Sequence, residues 1–233
     1  MPLAQVWEAV VHLVAPARCV GCGRGGPLLC PLCLEASTPL KEPFCIRCAQ
    51  PLRSLWQRMC GMCGHLQALD GVRAPYVLEG PIRRAVHAFK YRGIWSLGDV
   101  LGEFLLPTAQ SMPVLPHVVV PVPLHARRLK ERGYNQALLL ARVVAQGLGI
   151  PLEEGMLVRR RASVPLAQLA SARLRREAVR DAFACTRQGL GGVAVLLVDD
   201  VCTSGATLDA CASVLKGAGA GPVWGLTLAR EPL

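Results

Sequence analysis

The sequence predicts an α/β fold in which helices flank a parallel sheet, preceded by a cysteine-rich module. The apolar run at residues 193–198 is rich in valine, too short for a helix and suited to a strand buried on both faces. Two acids, a small polar loop and a helical pattern follow it, an order typical of parallel sheets. Eight of the eleven cysteines lie within residues 19–63. We therefore expect a module over residues 1–68 and a sheet domain over residues 69–233.

Length and composition fit this organisation. A chain of 233 residues suits one medium α/β domain plus a small module, and its 52% hydrophobic and 18% charged residues argue against wholesale disorder. The start of the chain carries Glu8 and no basic segment, which argues against a signal peptide. No uninterrupted run of about 18 apolar residues occurs, so we expect no membrane span. A short helix near the start is expected to pack on the protein itself.

The cysteines form four C-x-x-C pairs, each able to present two thiolates to one metal from a tight turn. They are Cys19 and Cys22, Cys30 and Cys33, Cys45 and Cys48, and Cys60 and Cys63. The simplest pairing is sequential, which predicts two structural Cys₄ zinc sites. A disulfide framework, a single zinc with four spare thiols, and an iron–sulfur cluster are the alternatives. The metals would supply the folding energy that a segment poor in large apolar side chains lacks.

Charge is unevenly distributed along the chain. The formal net charge is +10, but thiolates and zinc together would make residues 1–70 slightly acidic. Residues 123–187 hold thirteen Lys or Arg against five acids, a net charge of +8. That excess predicts polyanionic ligands for the sheet domain rather than for the cysteine-rich module.

The elements of the sheet domain follow from periodicity and from Gly and Pro positions. They are a strand over residues 72–78, a helix from Pro81 to residues 90–93, a helix over residues 96–109, a strand over residues 117–125, a basic loop over residues 127–136, a helix from residue 137 to residues 147–149, the strand at residues 193–198, a helix from about residue 206 to residues 217–219, and a last strand over residues 224–229. A strand followed at once by cations suits a pyrophosphate-binding loop.

The junction after the apolar run predicts a monophosphate site. Unpaired N–H groups and the dipole of a helix start favour an anion, and hydroxyls and a glycine surround it. The candidate phosphate-binding residues are Thr203, Ser204, Gly205, Ala206 and Thr207. Asp199 and Asp200 would accept hydrogen bonds from two vicinal hydroxyls. A phosphate beside a diol describes a ribose 5-phosphate group.

This stretch resembles the phosphoribosyl pyrophosphate (PRPP) signature of type I phosphoribosyltransferases: an apolar strand, an acid pair, then Thr-Ser/Thr-Gly-x-Thr. The resemblance implies a type I phosphoribosyltransferase-like sheet and PRPP as ligand, with Mg²⁺ on its pyrophosphate and ribose oxygens. Lys90, Arg92 and Arg127 are the candidate pyrophosphate-binding residues.

Three further features resemble the ComF family of phosphoribosyltransferase-like proteins. They are the amino-terminal C-x-x-C pairs, the segment from Pro121 to Gln136 that ends in the Arg-Gly-Tyr-Asn-Gln block at residues 132–136, and the later run from Gln168 to Phe183, together with Lys-Tyr-x-Gly at residues 90–93. ComF proteins are associated with natural competence, the uptake of single-stranded DNA in bacteria. The resemblance implies a cytoplasmic PRPP-binding protein acting in transformation, with proteins of the competence machinery as possible partners.

Two functions are consistent with these features. One is a competence factor that binds PRPP and single-stranded DNA; the other is an enzyme transferring phosphoribose to a nitrogen nucleophile such as a nucleobase. The sequence assigns no catalytic residue. An enzyme of the second kind needs aromatic side chains that stack on the nucleobase. Only 5% of the residues are aromatic, which favours the first function. The candidate nucleic-acid contacts are Arg128, Lys130, Arg132, Tyr134, Arg161, Arg173, Arg175 and Arg176.

Overall fold

A parallel sheet organises the second part of the chain. The computed structural model describes residues 18–160 and 182–232. The strands in this part are β1 (Gly71–Arg73), β2 (Tyr76–Val77), β3 (Val118–Pro121), β4 (Leu157–Arg159), β5 (Phe183–Cys185), β6 (Val195–Cys202) and β7 (Val223–Arg230). Five of them form the sheet in the order β1, β7, β6 and β3, with β2 also beside β7, and every pairing is parallel. Strands β4 and β5 form a separate antiparallel pair.

Helices lie between the strands, as parallel connections require. The described helices are α1 (Pro31–Glu35), α2 (Gly80–Tyr91), α3 (Leu97–Glu103), α4 (Leu106–Gln110), α5 (Ala126–Arg132), α6 (Gln136–Leu148) and α7 (Ala206–Gly217), with a short 3₁₀ turn at Cys63–His65. No helix of the described residues is long and apolar enough to cross a lipid bilayer.

Strand β6 is the centre of the core, and both its faces are covered. Leu196 and Val198 point into a cluster that includes Phe89 of α2 and Leu140 of α6. Leu197 belongs to a second cluster, which includes Leu208 of α7. This confirms the prediction of a strand buried on both faces. Each fully buried leucine contributes roughly 1.5–3 kcal/mol to the stability of the fold.

Three predicted boundaries were wrong. The helix expected over residues 96–109 is two helices, because the chain turns at Phe104 and Leu105 and a proline lies in the first turn of the second helix. The segment expected as a basic loop forms helix α5, since the His125 ring accepts the Arg127 N–H at its start and Gly133 ends it at φ 82°. The two aspartates lie within β6 rather than after it.

The cysteine-rich module packs against the sheet domain through backbone hydrogen bonds. The Val72 N–H donates to the Arg47 carbonyl over 2.7 Å. The Asp209 carboxylate of α7 accepts the N–H groups of Ala68 and Leu69 over 2.8 and 2.9 Å. The expected division between residues 68 and 69 therefore lies on a hydrogen-bonded contact, and it stays a prediction. The helix expected near the start of the chain lies outside the described residues.

Candidate functional site

Two adjacent carboxylates lie at the carboxyl end of β6. Asp200 is buried, with 7% of its surface exposed, and its N–H donates to Asp199 Oδ1 over 2.8 Å. Burial of Asp199 and the neighbouring carboxylate of Asp200 raise the pKa of Asp199 from 3.8 to about 7. The protonation state of Asp199 therefore changes near neutral pH, whereas Asp200 is engaged with a basic side chain.

That engagement is an ion pair between Asp200 and Lys90. The Lys90 ammonium lies 2.8 Å from Asp200 Oδ1, and the two side chains are 20% and 10% exposed. Lys90 stands in the last turn of α2. The negative end of the α2 dipole would by itself favour a cation at this position. The contact that Lys90 makes, however, is with Asp200 of β6.

The acid pair lines a cleft of about 210 Å³ that also contains many of the cations. Its polar and aromatic lining residues are Lys90, Tyr91, Arg128, Arg132, Asn135, Gln136, Arg159, Asp199, Asp200 and Thr207. Burial, and the nearby Arg128 charge, lower the pKa of Arg159 from its usual range, whereas Asp199 acts in the opposite direction. One cleft thus combines two acids with several cations and a hydroxyl.

The Arg-Gly-Tyr-Asn-Gln block positions the cleft wall. The Tyr134 hydroxyl and the Gln136 amide both donate to the carbonyl of Phe89, over 2.6 and 3.2 Å, and so hold the end of α2. Asn135 caps α6 by accepting the Ala137 N–H over 3.1 Å, and its amide donates to the Val122 carbonyl. The block therefore ties the end of α2, which carries Lys90, to the start of α6 and to the chain that follows β3.

The exposed aromatic ring at the cleft is not that of Tyr134, which the sequence had suggested as a contact for nucleic acid. Tyr134 is half-buried, and its ring packs on Phe89 with 5.6 Å between centroids. The exposed ring at the cleft is Tyr91, at 64% exposure, and the guanidinium carbon of Arg132 lies 5.0 Å from its centroid. Tyr91 was missed as a site residue, although the Lys-Tyr-x-Gly motif contained it. Arg159 was missed too, and its signal was the run of three arginines at residues 159–161.

The loop between β6 and α7 is the candidate phosphate-binding segment. Thr203 and Ser204 are exposed, and the Ser204 hydroxyl accepts the Ala206 N–H over 3.3 Å. Gly205 precedes α7 at φ 82°, a left-handed conformation that favours glycine. Thr207 reaches the same cleft as the acid pair. Thr207 therefore lies with the acids at the cleft, and the phosphate-binding role of the loop stays a prediction.

The remaining candidate residues lie around the cleft or outside the described chain. Arg92 is exposed just after α2, and neither it nor Arg127 lines the 210 Å³ cleft. Arg127 is exposed and its Nε donates to Glu131 over 2.8 Å. Lys130 is exposed on α5. Four candidates lie outside the described residues: Arg161, Arg173, Arg175 and Arg176.

The eight paired cysteines form two four-sulfur clusters, joined in the sequential order predicted. The first is Cys19, Cys22, Cys30 and Cys33, and the second is Cys45, Cys48, Cys60 and Cys63, with the ligand atoms of each within 4.8 Å of one another. Sulfur separations are 3.8 Å for Cys22 and Cys30 and 3.5 Å for Cys48 and Cys60. A disulfide needs about 2.05 Å, whereas tetrahedral zinc with Zn–S bonds of about 2.3 Å separates its sulfurs by about 3.8 Å. The clusters therefore fit two Cys₄ zinc sites with a structural role.

Comparisons with known proteins agree with this description. Residues 10–64 match the family model of the double zinc ribbon domain. The chain is 30% identical over 216 residues to the DNA utilization protein YhgH of Salmonella typhi, covering 88% of each chain. It is 29% identical over 228 residues to Competence protein F of Haemophilus influenzae, covering 91% of this chain and 97% of that protein. With Competence protein ComFC of Bacillus subtilis it shares 26% identity over 212 residues.

Among solved structures, adenine phosphoribosyltransferase from Leishmania tarentolae is similar at 15% identity and a TM-score of 0.36, covering 58% of this chain and 71% of that one. Relatives at 30% identity over most of both chains decide the family, and the two four-cysteine clusters and the parallel sheet agree with it. The chain belongs to the ComF family of proteins with an amino-terminal double zinc ribbon.

Proposed function

We propose that this chain binds PRPP together with Mg²⁺ in the cleft beside β6, binds single-stranded DNA on the basic surface around it, and acts in DNA uptake during natural competence. The observation that carries the proposal is that one cleft is lined by three kinds of group: the Asp199–Asp200 pair, Thr207 at the end of the loop at residues 203–207, and cations from α2 and α5. The names of the relatives in Haemophilus influenzae and Bacillus subtilis support the competence role.

Each group matches one part of PRPP. The loop offers hydroxyls and the N–H groups of a twelve-residue helix to the 5-phosphate. The two carboxylates accept hydrogen bonds from the ribose hydroxyls. Lys90, Arg128 and Arg132 line the same cleft and would face the pyrophosphate, while Arg92 and Arg127, which are not among its lining residues, stay candidates. Mg²⁺ would neutralise the pyrophosphate charge.

The DNA part of the proposal rests on the exposed cations of α5. Arg128 and Lys130 are exposed, and Arg132 is half-exposed at the cleft mouth against the Tyr91 ring. A cationic surface beside an exposed aromatic ring is the arrangement that binds single strands without sequence preference. Because Arg128 and Arg132 also line the cleft, PRPP and DNA are expected to compete.

A ligand series tests the PRPP site directly. Calorimetry with PRPP and Mg²⁺, ribose 5-phosphate and 2-deoxyribose 5-phosphate should give affinities in that descending order. The deoxy compound keeps the phosphate and lacks one of the two vicinal hydroxyls that the acid pair is proposed to bind. If the two sugar phosphates bind with equal affinity, the acid pair does not bind the ribose hydroxyls.

The alternative function is an enzyme that forms a bond between a nitrogen nucleophile and C1′ while the bond from C1′ to pyrophosphate breaks. The raised pKa of Asp199 favours keeping this alternative, because an acid that titrates near neutral pH can exchange a proton. Release of pyrophosphate from PRPP that depends on an added nucleobase would establish it. Binding without release in the presence of nucleobases or single-stranded DNA supports the binding function instead.

A further inference from the structure

The second cysteine cluster, formed by Cys45, Cys48, Cys60 and Cys63, lies directly against the loop at residues 203–207. We infer that metal in this cluster holds that loop in its ligand-binding conformation, so that zinc there and a phosphate ligand on the loop bind cooperatively. The ligand half of this inference rests on the proposed function, in which PRPP occupies the loop. The conformational half stands on contacts within the chain alone.

One buried guanidinium joins the cluster to the loop. Arg230, at the end of β7, is 1% exposed. Its Nε donates to the carbonyl of Cys48, a cluster ligand, over 2.8 Å. Its Nη1 donates to the carbonyls of Cys202, over 2.8 Å, and of Thr203. A shift of the Cys48 backbone therefore changes the position of the group that fixes the start of the loop.

The charge of the cluster also supports the position of Arg230. Its hydrogen bonds within the described chain go to carbonyl oxygens, including that of Glu231. Burying a cation at this depth is costly, and negative charge nearby reduces that cost. Zinc held by four thiolates is a net anion, and its ligand Cys48 is bonded to the guanidinium through its carbonyl. The loaded cluster thus compensates the buried arginine.

Two further contacts come from the turn that carries the last ligand, Cys63. The His65 ring nitrogen Nε2 lies 3.0 Å from the carbonyl oxygen of Ser204. Leu66 is fully buried, and a Cβ added at Gly205 would lie 3.2 Å from its methyl groups. The loop is consequently packed on the same turn that the metal is expected to hold closed.

The first cluster makes its contacts elsewhere and supplies a matched control. The guanidinium Nε of Arg84, on α2, donates to the Gly21 carbonyl over 2.7 Å, next to the ligand Cys22. Cys22 is the exposed ligand of the first cluster, and Cys60 is the half-exposed ligand of the second. Cys22→Ser and Cys60→Ser therefore remove comparable ligands from clusters with different neighbours.

The experiment compares these two variants with the wild-type protein by backbone hydrogen exchange and by calorimetry. Without ligand, exchange at residues 202–207 should rise in Cys60→Ser and stay at the wild-type rate in Cys22→Ser. Affinity for PRPP with Mg²⁺ should fall on the order of tenfold in Cys60→Ser only. Equal exchange at residues 202–207 in the two variants overturns the inference. Wild-type protein that binds no PRPP overturns the proposed function, while the exchange comparison still decides the conformational half.

A third variant, Arg230→Lys, covers the case in which Cys60→Ser fails to fold. Lysine keeps the charge but cannot donate in two directions from a planar fork. Zinc content should stay at the wild-type level while exchange at residues 202–207 rises. In the wild type, PRPP should slow the transfer of zinc from the second cluster to a chelator, and in Arg230→Lys this protection should be lost. Unchanged exchange in Arg230→Lys, with zinc retained, excludes Arg230 as the link.

Discussion

The ammonium of Lys90 and the carboxylate of Asp200 lie 2.8 Å apart, with both side chains largely withdrawn from solvent. They come from different elements, the end of α2 and the end of β6. Removing either partner leaves a poorly solvated charge, so substitutions at this pair affect folding as well as ligand binding. The neutral isostere asparagine at position 200 is therefore a better probe than alanine, because it keeps hydrogen-bonding capacity at the same place.

We expect Asp200→Asn to weaken PRPP binding by about 10- to 100-fold, because a hydrogen bond to a charged group contributes roughly 1.5–3 kcal/mol. Calorimetry with PRPP and Mg²⁺ measures the change. Asp99→Asn is the control, since Asp99 is exposed in the first turn of α3, away from the cleft. Equal losses in both variants would show that the effect does not come from the cleft.

The pH dependence of stability should report Asp199. Its pKa is raised to about 7 in the folded chain from an ordinary value of 3.8, so the folded state binds the proton more tightly than the unfolded state. The free energy of unfolding then falls as pH rises through this interval. Asp199→Asn should reduce the difference in Tm between about pH 5.5 and about pH 8. Asparagine can still accept the Asp200 N–H, which controls for that contact. Identical pH profiles would contradict the raised pKa.

Elemental analysis should find two zinc ions per folded chain, one in each cluster. Cys22→Ser and Cys60→Ser should each retain one, because the two sulfur sets do not overlap. Strong chelation should destabilise the cysteine-rich module, whose small core near the second cluster consists of Leu66 and the cluster cysteines. One zinc or none in the wild-type protein would disprove the two-site description.

Salt dependence should identify the DNA contacts. Single strands lose binding with a log–log slope of about −0.7 per neutralised phosphate. Arg128→Ala with Lys130→Ala should therefore make the slope shallower by about 1.4, measured by filter binding at rising salt. Arg142→Ala is the control, because Arg142 is exposed on α6 and already paired with Glu154 over 3.0 Å. If DNA binding is undetectable at about 50 mM salt, where such contacts are strongest, the DNA-binding part of the proposal fails and only the small-molecule function stands.

Tyr134→Phe should lower the free energy of unfolding by about 1 kcal/mol, since it removes the hydroxyl that donates to the Phe89 carbonyl. Urea unfolding measures this. Tyr91→Phe, at an exposed ring, should leave stability within about 0.5 kcal/mol of the wild type. If single-stranded DNA stacks on an aromatic ring here, Tyr91→Ala should weaken DNA binding more than Tyr134→Phe does.

Local sequence pattern was sufficient to predict several elements of this protein. The valine-rich run, the acid pair and the hydroxyl–glycine loop are consecutive in the chain, so their order alone predicted the strand, the loop and helix α7. The four C-x-x-C pairs likewise predicted the composition of both metal clusters, because each pair is a local turn. The same short stretch also predicts the ligand class, a phosphate beside a diol, and that part stays a prediction.

Tertiary structure alone decided how distant residues meet. Lys90 reaches Asp200 because α2 ends at the carboxyl edge of the sheet, where parallel β6 also ends. The ring at the cleft is Tyr91 rather than Tyr134, since Tyr134 is engaged with the end of α2. Arg230 joins Cys48 to Thr203 across much of the chain, and no sequence spacing encodes that contact. Periodicity and motif spacing describe neighbours within one element, whereas the packing of elements sets which charges share a cleft.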